Sequence, residues 1–70
     1  MVFDAAPFSQ VARQMERWYN VKIVINDETI SEMTLSGNFE KESLKQALDA
    51  LREITPFSYN IKNNEVIIGR

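Results

Sequence analysis

Neither cysteine nor histidine occurs among the 70 residues of this chain. Without thiols no disulfide supplements the core, and cysteine usage says nothing of the redox compartment. Without either residue type, a zinc site of the usual ligands, a serine–histidine dyad and a thiolate nucleophile are all excluded. Glycine and proline are scarce, two of each. Ser36-Gly37-Asn38 therefore holds too few glycines to cradle a phosphate. No run of about 18 apolar residues is present, so no membrane-spanning helix is expected, and no signal peptide is read. There is also no basic stripe: 8 basic and 10 acidic side chains are well mixed, for a net charge of −2, which argues against a nucleic-acid partner.

What remains is apolar residues, 44% of the chain with 10% aromatic. Stability must come from burying them. A length of 70 residues fits one domain, spanning residues 1–70, whose core supplies no more than roughly 3–5 kcal/mol net. Val2-Phe3 already reads as a strand. The chain is thus expected to be a domain excised at its edge, with Met1 an expression start.

The most informative stretch runs from Met33 to Ile61. Met33, Leu35 and Phe39 share one parity, as a half-buried strand requires, and Gly37 loosens its end. Leu44, Ala47, Leu48, Leu51 and Ile54 recur at helical spacing. Ser43 with Gln46 three residues on is a capping box, and Thr55-Pro56 ends the helix, because a residue before proline avoids the α region. Phe57, Tyr59 and Ile61 then alternate as a second strand.

The same plan occurs 36 positions earlier, without a gap. Phe39 falls on Phe3, Leu44 on Phe8, Ala47 and Leu48 on Val11 and Ala12, Leu51 on Met15, Ile54 on Trp18 and Thr55 on Tyr19. Phe57, Tyr59 and Ile61 fall on Val21, Ile23 and Ile25. A match through helix and strand alike points to a structural duplication.

In chain order, Met1 to Phe3 is read as a short strand, and Pro7 as a first helical position, where its missing N–H does no harm. The helix runs to Trp18 or Tyr19 with Phe8, Val11, Ala12, Met15 and Tyr19 inward and Gln10, Arg13, Gln14, Glu16 and Arg17 in water. Arg13 and Arg17 complement the helix dipole, and Asn20 is a left-handed stop. Val21 to Ile25 is a strand, Asn26-Asp27 a turn, and Glu28 to Glu32 a polar connection anchored by Ile30, with room for one helical turn. Phe57 to Lys62 and Glu65 to Ile68 form a hairpin around Asn63-Asn64. The expected core is Phe3, Phe8, Val11, Met15, Ile23, Leu35, Phe39, Leu44, Leu48, Leu51, Tyr59 and Val66.

The fold class is therefore α+β, built from duplicated β-α-β units in the order β-α-β-β-α-β-β. A pseudo-twofold axis pairs the first strand with the third and places the second beside the fourth and fifth. The favoured arrangement sets two helices side by side between a two-stranded and a three-stranded sheet. The alternative is one five-stranded sheet with both helices on one face.

No motif carries catalysis. Glu40, Glu42 and Asp49 read as solvated acids, the first two at a helix N-terminus whose dipole favours them. Asp27, Glu28 and Glu32 lack the spacing of a calcium loop. Trp18-Tyr19 is the densest aromatic pair. Because the repeat sets Trp18 opposite Ile54, packing in the core or at its rim is expected, with partner contact the alternative.

The ordered set Phe3, Pro7, Phe8, Glu16-Arg17-Trp18-Tyr19, Val21, Gly37, Phe39, Ser43-Leu44, Ala47-Leu48, Leu51, Tyr59 and Val66-Ile67-Ile68 resembles the carboxy-terminal domain of FecR-type anti-sigma factors. The Trp-Tyr form resembles those abundant in Bacteroides and its relatives. Pro7-Phe8 departs from the leucine such domains carry there. The resemblance implies a non-catalytic periplasmic domain of a single-pass inner-membrane protein, with no cofactor, metal or small-molecule substrate, and a membrane attachment only through a segment outside this chain. It also implies the partners: the N-terminal signalling domain of a TonB-dependent outer-membrane transducer, and an extracytoplasmic-function sigma factor held by a cytoplasmic part. A related fold, the short N-terminal domain of secretins and TonB-dependent receptors, gives the alternative reading. A small enzyme is a further alternative, which the missing His and Cys oppose. For the partner surface, strand edges are the expectation, at Glu65 and Ile67 on the last strand and at Ser36 and Asn38 on the third. The competing surface is the helix end around Arg17, Trp18 and Asn20.

Overall fold

The computed structural model describes residues Met1 to Arg70. Its elements are β1 (Val2–Pro7), α1 (Phe8–Tyr19), β2 (Lys22–Ile25), α2 (Glu28–Glu32), β3 (Thr34–Asn38), α3 (Leu44–Ile54), β4 (Ser58–Lys62) and β5 (Glu65–Gly69). They form two separate sheets, β1-β3 and β2-β5-β4, which rules out the single five-stranded sheet. The α+β class and the pairing of first strand with third hold.

Each helix forms for a local reason. In α3 the Ser43 hydroxyl accepts from Gln46 N–H while the Gln46 side chain accepts from Ser43 N–H, completing the capping box read from the sequence. The helix ends at Thr55, in extended conformation before Pro56. In α1 the stop is Asn20, left-handed at φ 56° and ψ 53°. Pro7 corrects an expectation: it stands outside the helix as the cap, at ψ 144°, while its ring also belongs to the end of β1. That strand is longer than Met1–Phe3, because an irregular register between Phe3 and Ala6 lets it bend and continue. The polar connection after β2 does hold a helical turn, α2, capped by Asp27, whose carboxylate accepts from Ile30 N–H at 3.2 Å.

The long helices lie between the sheets. α1 packs on β1 and β3 on one side and on β2 on the other. α3 packs on β3 and reaches β4 through Asp49, hydrogen-bonded to Tyr59. One apolar cluster joins all layers. Ten of the twelve expected core residues are buried in it, and Leu44 and Tyr59 are half-buried at its margin. Ile30, Phe57 and Ile68 join it as well, and Phe57 meets Phe8 edge-on with ring centroids 5.1 Å apart.

Two further expectations change. Trp18 does not lie in the core: it is 54% exposed, and its counterpart Ile54 is 66% exposed. The duplication survives this, since both copies turn out together, while their neighbours Tyr19 and Thr55 turn in. The second change is strand order. β2 pairs only with β5, in parallel, and β4 pairs with β5 from the other side. The duplicated strands β2 and β4 thus flank β5 rather than meeting each other.

Candidate functional site

Strand order decides which backbone is free. Lys22 N–H donates to Asn64 carbonyl and Asn26 N–H to Ile68 carbonyl, each at 2.8 Å. Val66 and Ile68 therefore address β2, and by alternation Glu65, Ile67 and Gly69 address Lys62, Asn60 and Ser58 of β4. Both edges of β5 are occupied. This corrects the expectation of an open edge at Glu65 and Ile67: the Ile67 N–H serves the internal ladder, so proline there would break the sheet.

The Ser36–Asn38 edge is open. Phe39 and Met1 exchange backbone hydrogen bonds, and Phe8 N–H donates to Met33 carbonyl. Thr34, Ser36 and Asn38 consequently face away from β1. The Ser36 hydroxyl folds back to accept from Ala5 N–H at 2.9 Å, steadying the bend in β1, where Ala5 takes φ 49°.

Arg17 and Trp18 share a different surface. With Met1, Val2 and Gln14 they line a shallow groove of about 420 Å³ between the end of α1 and the start of β1. Val2 is 68% exposed beside Trp18, so the groove offers apolar area with a guanidinium at its rim. An exposed Trp with an Arg neighbour is the composition of an interaction hot spot. Val2 of this groove pairs with Asn38 across the two-stranded sheet, so the groove and the Ser36–Asn38 edge lie one strand apart, whereas Glu65 and Ile67 lie in the middle of the three-stranded sheet.

Three of the six carboxylates weighed for chemistry, Glu42, Asp27 and Asp49, are engaged. Glu42 accepts from the N–H groups of Glu40 and Lys41, and backbone N–H groups of this loop hold its pKa below the ordinary value. The Glu42 carbonyl accepts from the Tyr19 hydroxyl at 2.9 Å. Burial, then the Glu42 charge, pushes the pKa of that hydroxyl up. Asp27 caps α2 and pairs with Arg70 at 3.1 Å. Asp49 accepts from the Tyr59 hydroxyl and from Lys45 and lies 3.6 Å from Arg52. The Tyr59 bond first, then the Lys45 bond, lowers its pKa. No three acidic side chains converge as a metal site would need. No helix is long and apolar enough to cross a membrane.

Two participants escaped the sequence reading. Glu16, expected in water, accepts the Ile23 N–H at 2.8 Å. The outer edge of β4 emerged only with strand order. The one available signal was the uninterrupted apolar run Val66-Ile67-Ile68, which suits a central strand better than an edge.

Comparison with known proteins closes the question of family. The family model described as FecR, C-terminal matches residues 1–68. Two crystal structures of a proposed anti-sigma factor from Parabacteroides distasonis ATCC 8503 share the fold. One, at 1.65 Å resolution, superposes with TM-score 0.87 at 25% identity, over 97% of this chain and 32% of that one. The other, at 2.50 Å, gives TM-score 0.88 at 24% identity, over 100% and 33%. The chain spans about a third of the length of those proteins. No curated protein matches. With its duplicated fold and a match from first residue to near the last, the chain belongs to the FecR C-terminal family.

Proposed function

We propose that this domain is the periplasmic, non-catalytic interaction module of a single-pass inner-membrane anti-sigma regulator. In this reading it receives a signal from the N-terminal domain of a TonB-dependent outer-membrane transducer. The signal passes through the membrane to a cytoplasmic part that holds an extracytoplasmic-function sigma factor. The observation that carries the reading is the family match over residues 1–68. The likeness to a proposed anti-sigma factor of about three times the length supports it. The engaged carboxylates and the shallow surfaces suit protein contact better than a reaction. The contact surfaces proposed are the Arg17–Trp18 groove and the free strand edges, including that of Ser36 and Asn38. Glu65 and Ile67, half-buried on a central strand, are left with side-chain contacts alone.

The test is titration calorimetry of the purified domain against the N-terminal periplasmic domains of the TonB-dependent transducers encoded in the same genome. One of them should bind with a 1:1 stoichiometry, and the interaction should be lost when that domain is deleted from the transducer in cells carrying a sigma-dependent reporter. Absence of binding to every such domain, with the reporter unaffected, would reject the reading.

A further inference from the structure

The outer strand edges of the two sheets are not equivalent. β1 is interrupted by its irregular register and by Pro7, which has no N–H. β3 is open, yet its core-facing residues Leu35 and Phe39 are already 1% and 7% exposed. A strand added there removes little more apolar surface from water.

The remaining pair is related by the duplication. In β2 the outward N–H of Ile23 is closed by the Glu16 carboxylate at 2.8 Å. Thirty-six positions on, Ile23 becomes Tyr59 and Glu16 becomes Arg52. Arg52 stands beside Tyr59 as Glu16 stands beside Ile23, its guanidinium 5.2 Å from the ring centroid. A guanidinium only donates. It cannot accept the N–H that the carboxylate accepts in the first unit. With Ser58, Asn60 and Lys62 turned toward β5, Tyr59 and Ile61 point their N–H and C=O groups outward without a cap. Ile61 is also 37% exposed, so this edge has apolar surface left to cover. This acid-to-base difference leaves the Tyr59 N–H open where the N–H of its counterpart Ile23 is capped.

We infer that the outer edge of β4 is a strand-addition site for an extended segment of a partner protein carrying an acidic residue. The inference rests on the reading of the domain as an interaction module and names the surface it uses. Main-chain hydrogen bonds to Tyr59 and Ile61 supply affinity, and an apolar side chain of the added strand covers Ile61. Arg52 lies over Tyr59 and Lys45 beside it, with Asp49 as their shared counter-charge, while Lys62 faces Glu65 across the strands. The Tyr59 side of the edge thus has one cation to spare in a chain of net charge −2. A second copy of the domain would set this positive edge against itself, whereas an acid in the added strand meets Arg52.

Amide hydrogen exchange and NMR titration of the ¹⁵N-labelled domain decide it, with two probes: the transducer domain found by calorimetry, and a short synthetic peptide alternating valine and glutamate. Binding should slow exchange at Tyr59 and Ile61. Ile61→Pro removes an outward N–H without touching the ladder to β5 and should weaken binding about tenfold. Arg52→Glu restores the acid found in the first unit. It should cap the Tyr59 N–H and repel an acid in the added strand with the fold intact, and it decides the matter if the proline variant does not fold. If the transducer domain binds, yet Tyr59 and Ile61 exchange unchanged and both folded variants bind as wild type, the edge proposal is overturned while the functional reading stands. If no transducer domain binds and the reporter is unaffected, the functional reading falls; in the absence of a binding transducer domain the peptide decides the edge. Slowing of Ile61 exchange on adding the peptide that is lost in Arg52→Glu supports the edge, and no slowing at Tyr59 or Ile61 on adding the peptide overturns it.

Discussion

Glu16 on α1 accepts the outward N–H of Ile23 on β2 at 2.8 Å, so a helix side chain completes the hydrogen bonding of a sheet edge. A charged acceptor makes this bond stronger than a neutral one. Glu16→Ala should cost about 1.5–3 kcal/mol, read by urea denaturation, and should speed exchange of the Ile23 amide selectively. Glu16→Gln keeps an acceptor and should lose less. Equal losses from both variants would mean that the side chain acts through packing rather than through this bond.

Leu48 is fully buried at the centre of α3. Leu48→Ala should cost about 2–5 kcal/mol through lost burial and the cavity left behind. For a core of this size that approaches unfolding at room temperature. A soluble variant melting cooperatively at the wild-type midpoint would show the helix phase to be wrong.

On the same helix Ile54 is 66% exposed. Ile54→Thr should change stability by no more than about 0.5 kcal/mol. The pair of measurements separates the two faces of α3, and a loss at Ile54 comparable with that at Leu48 would contradict the outward turn of the last helical residue.

Asp49 titrates below its ordinary value because the Tyr59 hydroxyl, and then Lys45, stabilise its charged form. A depressed carboxylate contributes stability that is present above its unfolded-state pKa and is lost as the pH falls through its folded one. The wild-type domain should therefore lose part of its stability as the pH drops below about 4. Asp49→Asn should remove that part of the acid sensitivity while leaving the rest of the profile. Parallel curves for the two proteins across that range would reject the linkage.

Much of this was legible locally. The capping box at Ser43 and Gln46, the left-handed Asn20 and the alternation of Phe57, Tyr59 and Ile61 each follow from neighbours in sequence, because caps, turns and side-chain parity are short-range geometry. The pairing of β1 with β3 followed from the 36-residue repeat. Trp18 and Ile54 mislead because the repeat aligns two apolar residues without saying which way they face: in both units the next residue, Tyr19 or Thr55, takes the inward place. Single apolar side chains at the surface are ordinary.

The sequence by itself determined most of the elements and of their inward faces, the duplication and the family. Only the tertiary structure decided that β5 inserts between the duplicated strands β2 and β4. Periodicity says which way a side chain points but not which strand lies beside it, since the backbone groups that pair are chemically alike in every strand. The same limit hid the roles of Glu16 and Arg52, exposed-face residues in pattern. They became an edge closed by a carboxylate and an edge left open beside a guanidinium only when helix and strand were brought side by side.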